Sequence, residues 1–275
     1  MREEKPELVR DVRQRTEGPR GLARLHLPMR RPEDVIPYLG SPGHWQDGRS
    51  AKLVAESWFA AKDRPELSGL PEMVRVTLAR CPPGQVSRFV DVQLVDAFVE
   101  RCTELGDGST PSQTDVLTIL RLSDEIAVMA VEGKVDESFG PRVSEWLHEA
   151  APTSKKAARL KRLAQTLGID LSGCENLRYQ LLHRTAAALY EAHRYHAKVA
   201  VMMVHSFDPK DSGFEDFARL GMAMGMAKAV ATRLIGPVSR EGVDLYLGWT
   251  ADRSSNEGYV VLDGRKTDAG FFDND

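Results

Sequence analysis

The chain has 275 residues, 42% hydrophobic and 28% charged, which are the proportions of an ordinary globular protein and exclude a disordered or fibrous one. Thirty-seven basic and 40 acidic side chains leave a formal net charge of -3, so no global positive field draws the molecule onto nucleic acid or anionic lipid, and any polyanion site must be local. The cysteines, Cys81, Cys102 and Cys174, are odd in number and form no CxxC pair, which speaks against a disulfide framework or a structural zinc and fits a reducing cytoplasm.

Residues 1–24 mix both charge signs without a sustained apolar period and lack the apolar core of a secretory signal, so they are expected to form a mobile arm or a peripheral helix. Leu53, Val54, Ser57, Trp58 and Ala61 recur at three and four places after Ser50, predicting one amphipathic helix over 50–61 with Glu56 at the border of its apolar face. A second helix, 71–80, opens with Pro71 and stops before Cys81-Pro82-Pro83-Gly84. The period then changes. Apolar, partly β-branched runs at 86–102, 116–122 and 126–131 are bounded by turn residues, as strands should be.

Helical spacing returns over 154–167 and again over 176–196, where Leu177, Leu181, Leu182, Thr185, Leu189 and Ala192 share one side. A buried strand is expected at 198–207, a helix at 211–234 ended by Gly236-Pro237, and closing strands at 243–249 and 259–262 before a polar tail, 263–275. No apolar run is long and uncharged enough to cross a bilayer, which takes roughly 20 residues. The expected architecture is a single mixed-sheet α/β domain over 25–262, its sheet flanked by helices, with a helical insertion at about 135–175.

The chemistry concentrates between Ser112 and Glu137. In an antiparallel hairpin turning between Ser123 and Asp124, Asp115 faces Glu132. Opposed residues project to one face with Cα atoms roughly 4.5 to 5.5 Å apart. Lys134, two residues past Glu132, joins them. Two like charges so placed, beside apolar Leu117, Ile119, Val128 and Ala130, cost stability unless a cation lies between them. Magnesium favours one or two carboxylates plus waters and phosphate oxygens, and an adjacent ammonium can position an attacking water or stabilise charge on a phosphate. Such a trio suits phosphodiester hydrolysis. Asp136 and Glu137 either extend the metal site or serve as turn residues.

With Asp115 and Glu132-Gly133-Lys134 the sequence resembles the PD-(D/E)XK nuclease superfamily, which includes restriction endonucleases and recombination exonucleases. The order helix, three strands, helix, strand over about 50–207 is similar to that family's core, giving a restriction endonuclease-like expectation with extra C-terminal helix and strands. Thr114 stands where the family's name has proline. The resemblance implies Mg²⁺ or Mn²⁺ on Asp115 and Glu132, Lys134 as catalytic lysine and Glu56 as a third acid. It also implies Gln180 or Arg178 near the scissile region, a nucleic acid substrate, DNA before RNA, and a homodimer if both strands are cut. A catalytically inactive relative that binds nucleic acid or protein, or an unrelated α/β interaction protein, are the alternatives.

The segment Ser154 to Arg162 carries Lys155, Lys156, Arg159 and Arg162 with no acid nearby, and is either a phosphate grip or a solvated helix face. His193, His196 and His205 read as structural, because no fourth ligand accompanies them. The run GMAMGMAKAV reads as a packed helix in which Gly221 and Gly225 permit close approach. Ser57 and Ser206 lack the G-x-S-x-G setting, no P-loop or GxGxxG occurs, and the four tryptophans are expected as core anchors.

Overall fold

The computed structural model describes residues 29–82, 86–148 and 154–253. The predicted arm at 1–24, the strand at 259–262 and the tail at 263–275 lie outside the described residues. Helices α1 (Ser50–Ala61) and α2 (Glu72–Ala79) precede three strands, β1 (Gln93–Thr103), β2 (Ser112–Arg121) and β3 (Ile126–Lys134). Helices α3 (Val143–His148), α4 (Lys156–Leu167) and α5 (Tyr179–Arg194) lead to strand β4 (Val199–Ser206). Helix α6 (Phe214–Ala223) and strands β5 (Arg233–Arg240) and β6 (Val243–Ala251) complete the order.

The strands form one six-stranded mixed sheet in the order β1-β2-β3-β4-β6-β5. β1, β2 and β3 run as an antiparallel meander, β4 is parallel to both β3 and β6, and β5 pairs antiparallel with β6. The fold is therefore α/β, a mixed sheet between helical layers. Strand alternation sorts the two faces. Leu117, Ile119, Val128, Ala130, Ala200 and Met202 pack with Leu181, Leu182 and Ala188 of α5, whereas Val116, Met129, Val131 and Val201 pack with Val54 and Trp58 of α1 and Val74 and Leu78 of α2. β4 is buried along its whole length, which is why VAVMMVHS reads as a continuous apolar run instead of alternating.

Two predicted elements are corrected. The first strand starts at Gln93 and not at residue 86, because the preceding residues turn and drop Phe89 and Val92 into the core under α2. The helix predicted over 211–234 ends at Ala223. Gly225 takes φ +77°, and the amides of Gly225 and Met226 close back onto Met222 and Gly221 carbonyls, a C-terminal cap that a long apolar period conceals. Residues from Arg233 are strand, and Gly236-Pro237, expected to end a helix, lies at an irregularity of edge strand β5 where a missing N–H is tolerated. Of the two glycines expected to permit close packing, Gly221 does so, since a Cβ there would sit 2.7 Å from Ile235, but Gly225 has open space around it and serves the turn.

Tryptophans 58 and 249 are core residues, while Trp146 is half-buried and stacked on Tyr179, and Trp45 is half-buried near Lys52. No helix among the described residues is long and apolar enough to cross a membrane.

Candidate active site

The β2–β3 ladder runs from Arg121↔Ile126 to Val116↔Val131, the register expected from a turn at Ser123-Asp124. Beyond Val116 and Val131 the ladder gives way, and a side chain takes over. The Asp115 carboxylate accepts the Gly133 N–H at 2.7 Å through Oδ2. β3 continues on its other edge, where Glu132, Gly133 and Lys134 pair with Val204, His205 and Ser206 of β4. Glu132 and Lys134 are thus fixed by a parallel ladder at the point where β2 leaves. Gly133 has a steric reason: a Cβ there would lie 2.3 Å from the Val54 methyl of α1 and 3.3 Å from Asp115 Oδ2.

Helix α5 crosses this face and supplies Gln180, His183 and Arg184, which a helix places on one side at spacings of three and four. Lys134 Nζ donates to Gln180 Oε1 at 3.1 Å, and Gln180 Nε2 donates to Glu132 Oε1 at 2.7 Å. Lys134 Nζ also lies 2.9 Å from Glu132 Oε1, and 4.9 Å from the centre of the Phe139 ring. The other oxygen, Oε2, takes the Arg184 Nε–H at 2.5 Å. Arg184 Nη1 donates to Ser112 Oγ at 3.1 Å, and that hydroxyl is 2.9 Å from His183 Nδ1.

These contacts polarise the two acids in opposite directions. Burial alone would raise both. For Glu132 it is outweighed by Arg184 and Lys134, which hold its carboxyl down at about 2. For Asp115, burial together with the Glu132 and Glu100 carboxylates raises the pKa well above the usual range, against the smaller pull of Arg184 and the Gly133 amide. Burial and the neighbouring Arg184 push His183 down to about 3, so its imidazole is neutral at physiological pH.

Of the residues singled out in the sequence, Asp115, Glu132, Lys134 and Gln180 are brought together. Glu56 is not. It projects from α1 as an exposed side chain 3.6 Å from Lys52, while α1 turns Val54 and Ser50 toward the site, so helix spacing placed it on the border and packing turned it out. Arg178 also stands apart, bound to Asp216 of α6 at 2.6 Å and to the Gly140 carbonyl, where it ties two helices. Glu137 is a turn residue, accepting from the Val135 amide and Ser50, and Asp136 is exposed. Lys155 and Arg162 are exposed on α4 or at its start, Lys156 is half-buried, and Arg159 is buried against Asp107. His193 pairs with Glu241, His205 with Asp252, and His196 occupies a left-handed turn.

Sequence reading missed Arg184, Ser112 and His183. Arg184 and His183 lie one turn beyond Gln180, and that spacing was the available signal. Among the described residues no three His, Cys, Asp or Glu side chains are grouped as a metal site. Two carboxylates lie close together here, Asp115 with Oδ2 on the Gly133 amide and Glu132 with Oε1 on Gln180 and Lys134 and Oε2 on Arg184, so a hard divalent ion would have to take the place of some of these partners. Magnesium asks no more of a protein than one or two such groups, with water completing its octahedron.

The family model described as Domain of unknown function (DUF6946) matches residues 28–254. The chain belongs to the DUF6946 family. That match takes in every described strand and helix, including the extra strands β5 and β6. No curated protein and no solved structure matches this DUF6946 chain.

Proposed function

We propose that this protein is a metal-dependent nuclease of the PD-(D/E)XK type, hydrolysing phosphodiester bonds, with DNA as the substrate class and the cytoplasm as its compartment. The observation that carries the reading is the convergence of Asp115, Glu132, Lys134 and Gln180 where β2 parts from β3. It is supported by the order helix, three strands, helix, strand, with β4 parallel to β3.

Asp115 and Glu132 would hold Mg²⁺ or Mn²⁺, which when bound polarises a phosphate oxygen and makes a coordinated water a better nucleophile. The chain's own groups do the rest. Glu132 and Gln180 keep the Lys134 ammonium at a fixed position, where it orients the attacking water or meets the charge developing on the phosphate. Phe139 covers the ammonium and limits its hydration. Arg184 compensates Glu132 when no ion is present.

The pairing with Arg184 favours a second reading, a nuclease-fold module that binds nucleic acid or a protein without cutting, because a guanidinium already neutralises one of the two acids. Plasmid cleavage with Mg²⁺ or Mn²⁺ separates the two. Wild type should cut, and Asp115→Ala and Lys134→Ala should not. Equal cutting by all three would expose contamination and end the enzymatic reading. No cutting, together with no Glu132-dependent heat of Mn²⁺ binding, would leave the binding module.

A further inference from the structure

Beside the acids lies a hollow of about 400 Å³, at the small end of ligand sites, lined by Trp146, Lys155, Lys156, Arg159, Tyr179 and His183 among others. Its charge is lopsided. Three cations face one acid, Asp107, which pairs with Arg159 Nη1 at 3.1 Å. The cations also stand at or near the start of the 12-residue helix α4, whose first turn holds no acid. Basic groups at a helix N-terminus oppose the helix dipole, and Asp107 compensates only Arg159, so a bound anion would be favoured beside Lys155 and Lys156.

The hollow's walls are fixed. Trp146 and Tyr179 stack 3.9 Å apart, and Lys156 Nζ is held by the Trp146 carbonyl at 2.7 Å over the indole ring. Arg159 is buried with its Nε–H unpartnered, and Lys155 is exposed without a partner among the described residues. His183 connects the hollow to the acids. Ser112 Oγ accepts from Arg184 Nη1 and lies 2.9 Å from His183 Nδ1, so the hydroxyl links the hollow's wall to the pair that holds Glu132.

The geometry points to a phosphate subsite for a single nucleic-acid strand, in which Lys155, Lys156, Arg159 and His183 hold one phosphate while another linkage of the same strand is presented to Asp115 and Lys134. This rests on the nuclease reading and narrows it. A hollow of this volume admits one backbone segment with its phosphate and not a duplex, and a single strand bends freely enough to place neighbouring linkages in the hollow and at the acids together. His183 and Arg184 are neighbours on α5, and Ser112 and Asp115 lie on one strand, so the subsite and the acids share one rigid frame.

The test is fluorescence anisotropy of a labelled oligothymidine strand in EDTA, across a salt series, so that binding is read without cleavage. Wild type should bind the strand, and Lys155→Ala/Lys156→Ala should weaken it by about tenfold. The slope of log affinity against log salt should also fall by up to about 0.7, the contribution of the one phosphate that the lysines help neutralise. Lys155→Glu, on an exposed side chain, gives the same direction if the double variant fails to fold. Unchanged affinity in both variants, or no strand binding by wild type, overturns the subsite. Inorganic phosphate measured by calorimetry that binds as tightly as the strand makes it a small-anion site and removes the nucleic-acid assignment. Cleavage in Mg²⁺ is read separately on wild type: a chain that binds the strand through Lys155 and Lys156 but does not cut sinks the active-site reading alone, and one that cuts without lysine-dependent strand binding sinks the subsite alone.

Discussion

The guanidinium of Arg184 meets the carboxylate of Glu132 at 2.5 Å, with the two side chains only 11% and 4% exposed. A buried pair of this kind is costly to break, because the surviving charge is left without compensation. Glu132→Ala leaves Arg184 and Lys134 facing each other, and should destabilise the protein by about 3–5 kcal/mol. At about 2–4 °C per kcal/mol for a domain of this size, Tm should fall by roughly 10 °C. A denaturant midpoint equal to that of wild type would show the pair is dispensable. Since Glu132 titrates lower in the folded state, its contribution is complete above the ordinary glutamate range near 4.3 and drains away as pH falls toward about 2.

Asp115 works in the opposite sense. Its folded pKa is raised, so the fold favours the protonated form. That preference is fully present below the unfolded value of about 3.9 and is lost as pH rises through the folded one. Asp115→Asn keeps an oxygen for the Gly133 amide and removes the charge. In EDTA it should melt above wild type near neutral pH, with the gap closing as pH falls from the raised folded pKa toward about 4. A gap independent of pH would show that Asp115 is not held under electrostatic stress.

Metal should relieve that stress. Mn²⁺ at a hundredfold over its Kd adds about 2.7 kcal/mol to the folded state, which corresponds to a rise of roughly 5–11 °C in wild type. Asp115→Asn should show a smaller rise or none. Identical melting curves for wild type in Mn²⁺ and in EDTA would remove the cation site.

Gly133 tests the packing of α1 beneath the site while leaving every charged side chain of the site in the sequence. Gly133→Ala drives a methyl into Val54, 2.3 Å away, and should cost about 1–3 kcal/mol. Val54→Ala in the same chain should return part of that loss. Additive losses in the double variant would mean that α1 does not press on β3 at this point.

Gly225 and Arg184 mark where sequence reading stopped short. Helical period extends as far as apolar residues continue, and GMAMGMAKAV continues past the chain reversal, so only the left-handed Gly225 reveals that α6 has ended. Glu56 and Arg178 shared a helix with correct neighbours, yet a helix's rotation about its axis is decided by the partner it packs on.

Strand alternation and a short turn are local rules, and they were enough to put Asp115, Glu132 and Lys134 on one face with the correct hairpin register. Nothing local says which helix will lie across that face. The docking of α5 over β3 chose Gln180, His183 and Arg184 as neighbours of the acids, because burial of Leu181, Leu182 and Ala188 against the sheet fixes the direction in which the polar side of the helix points.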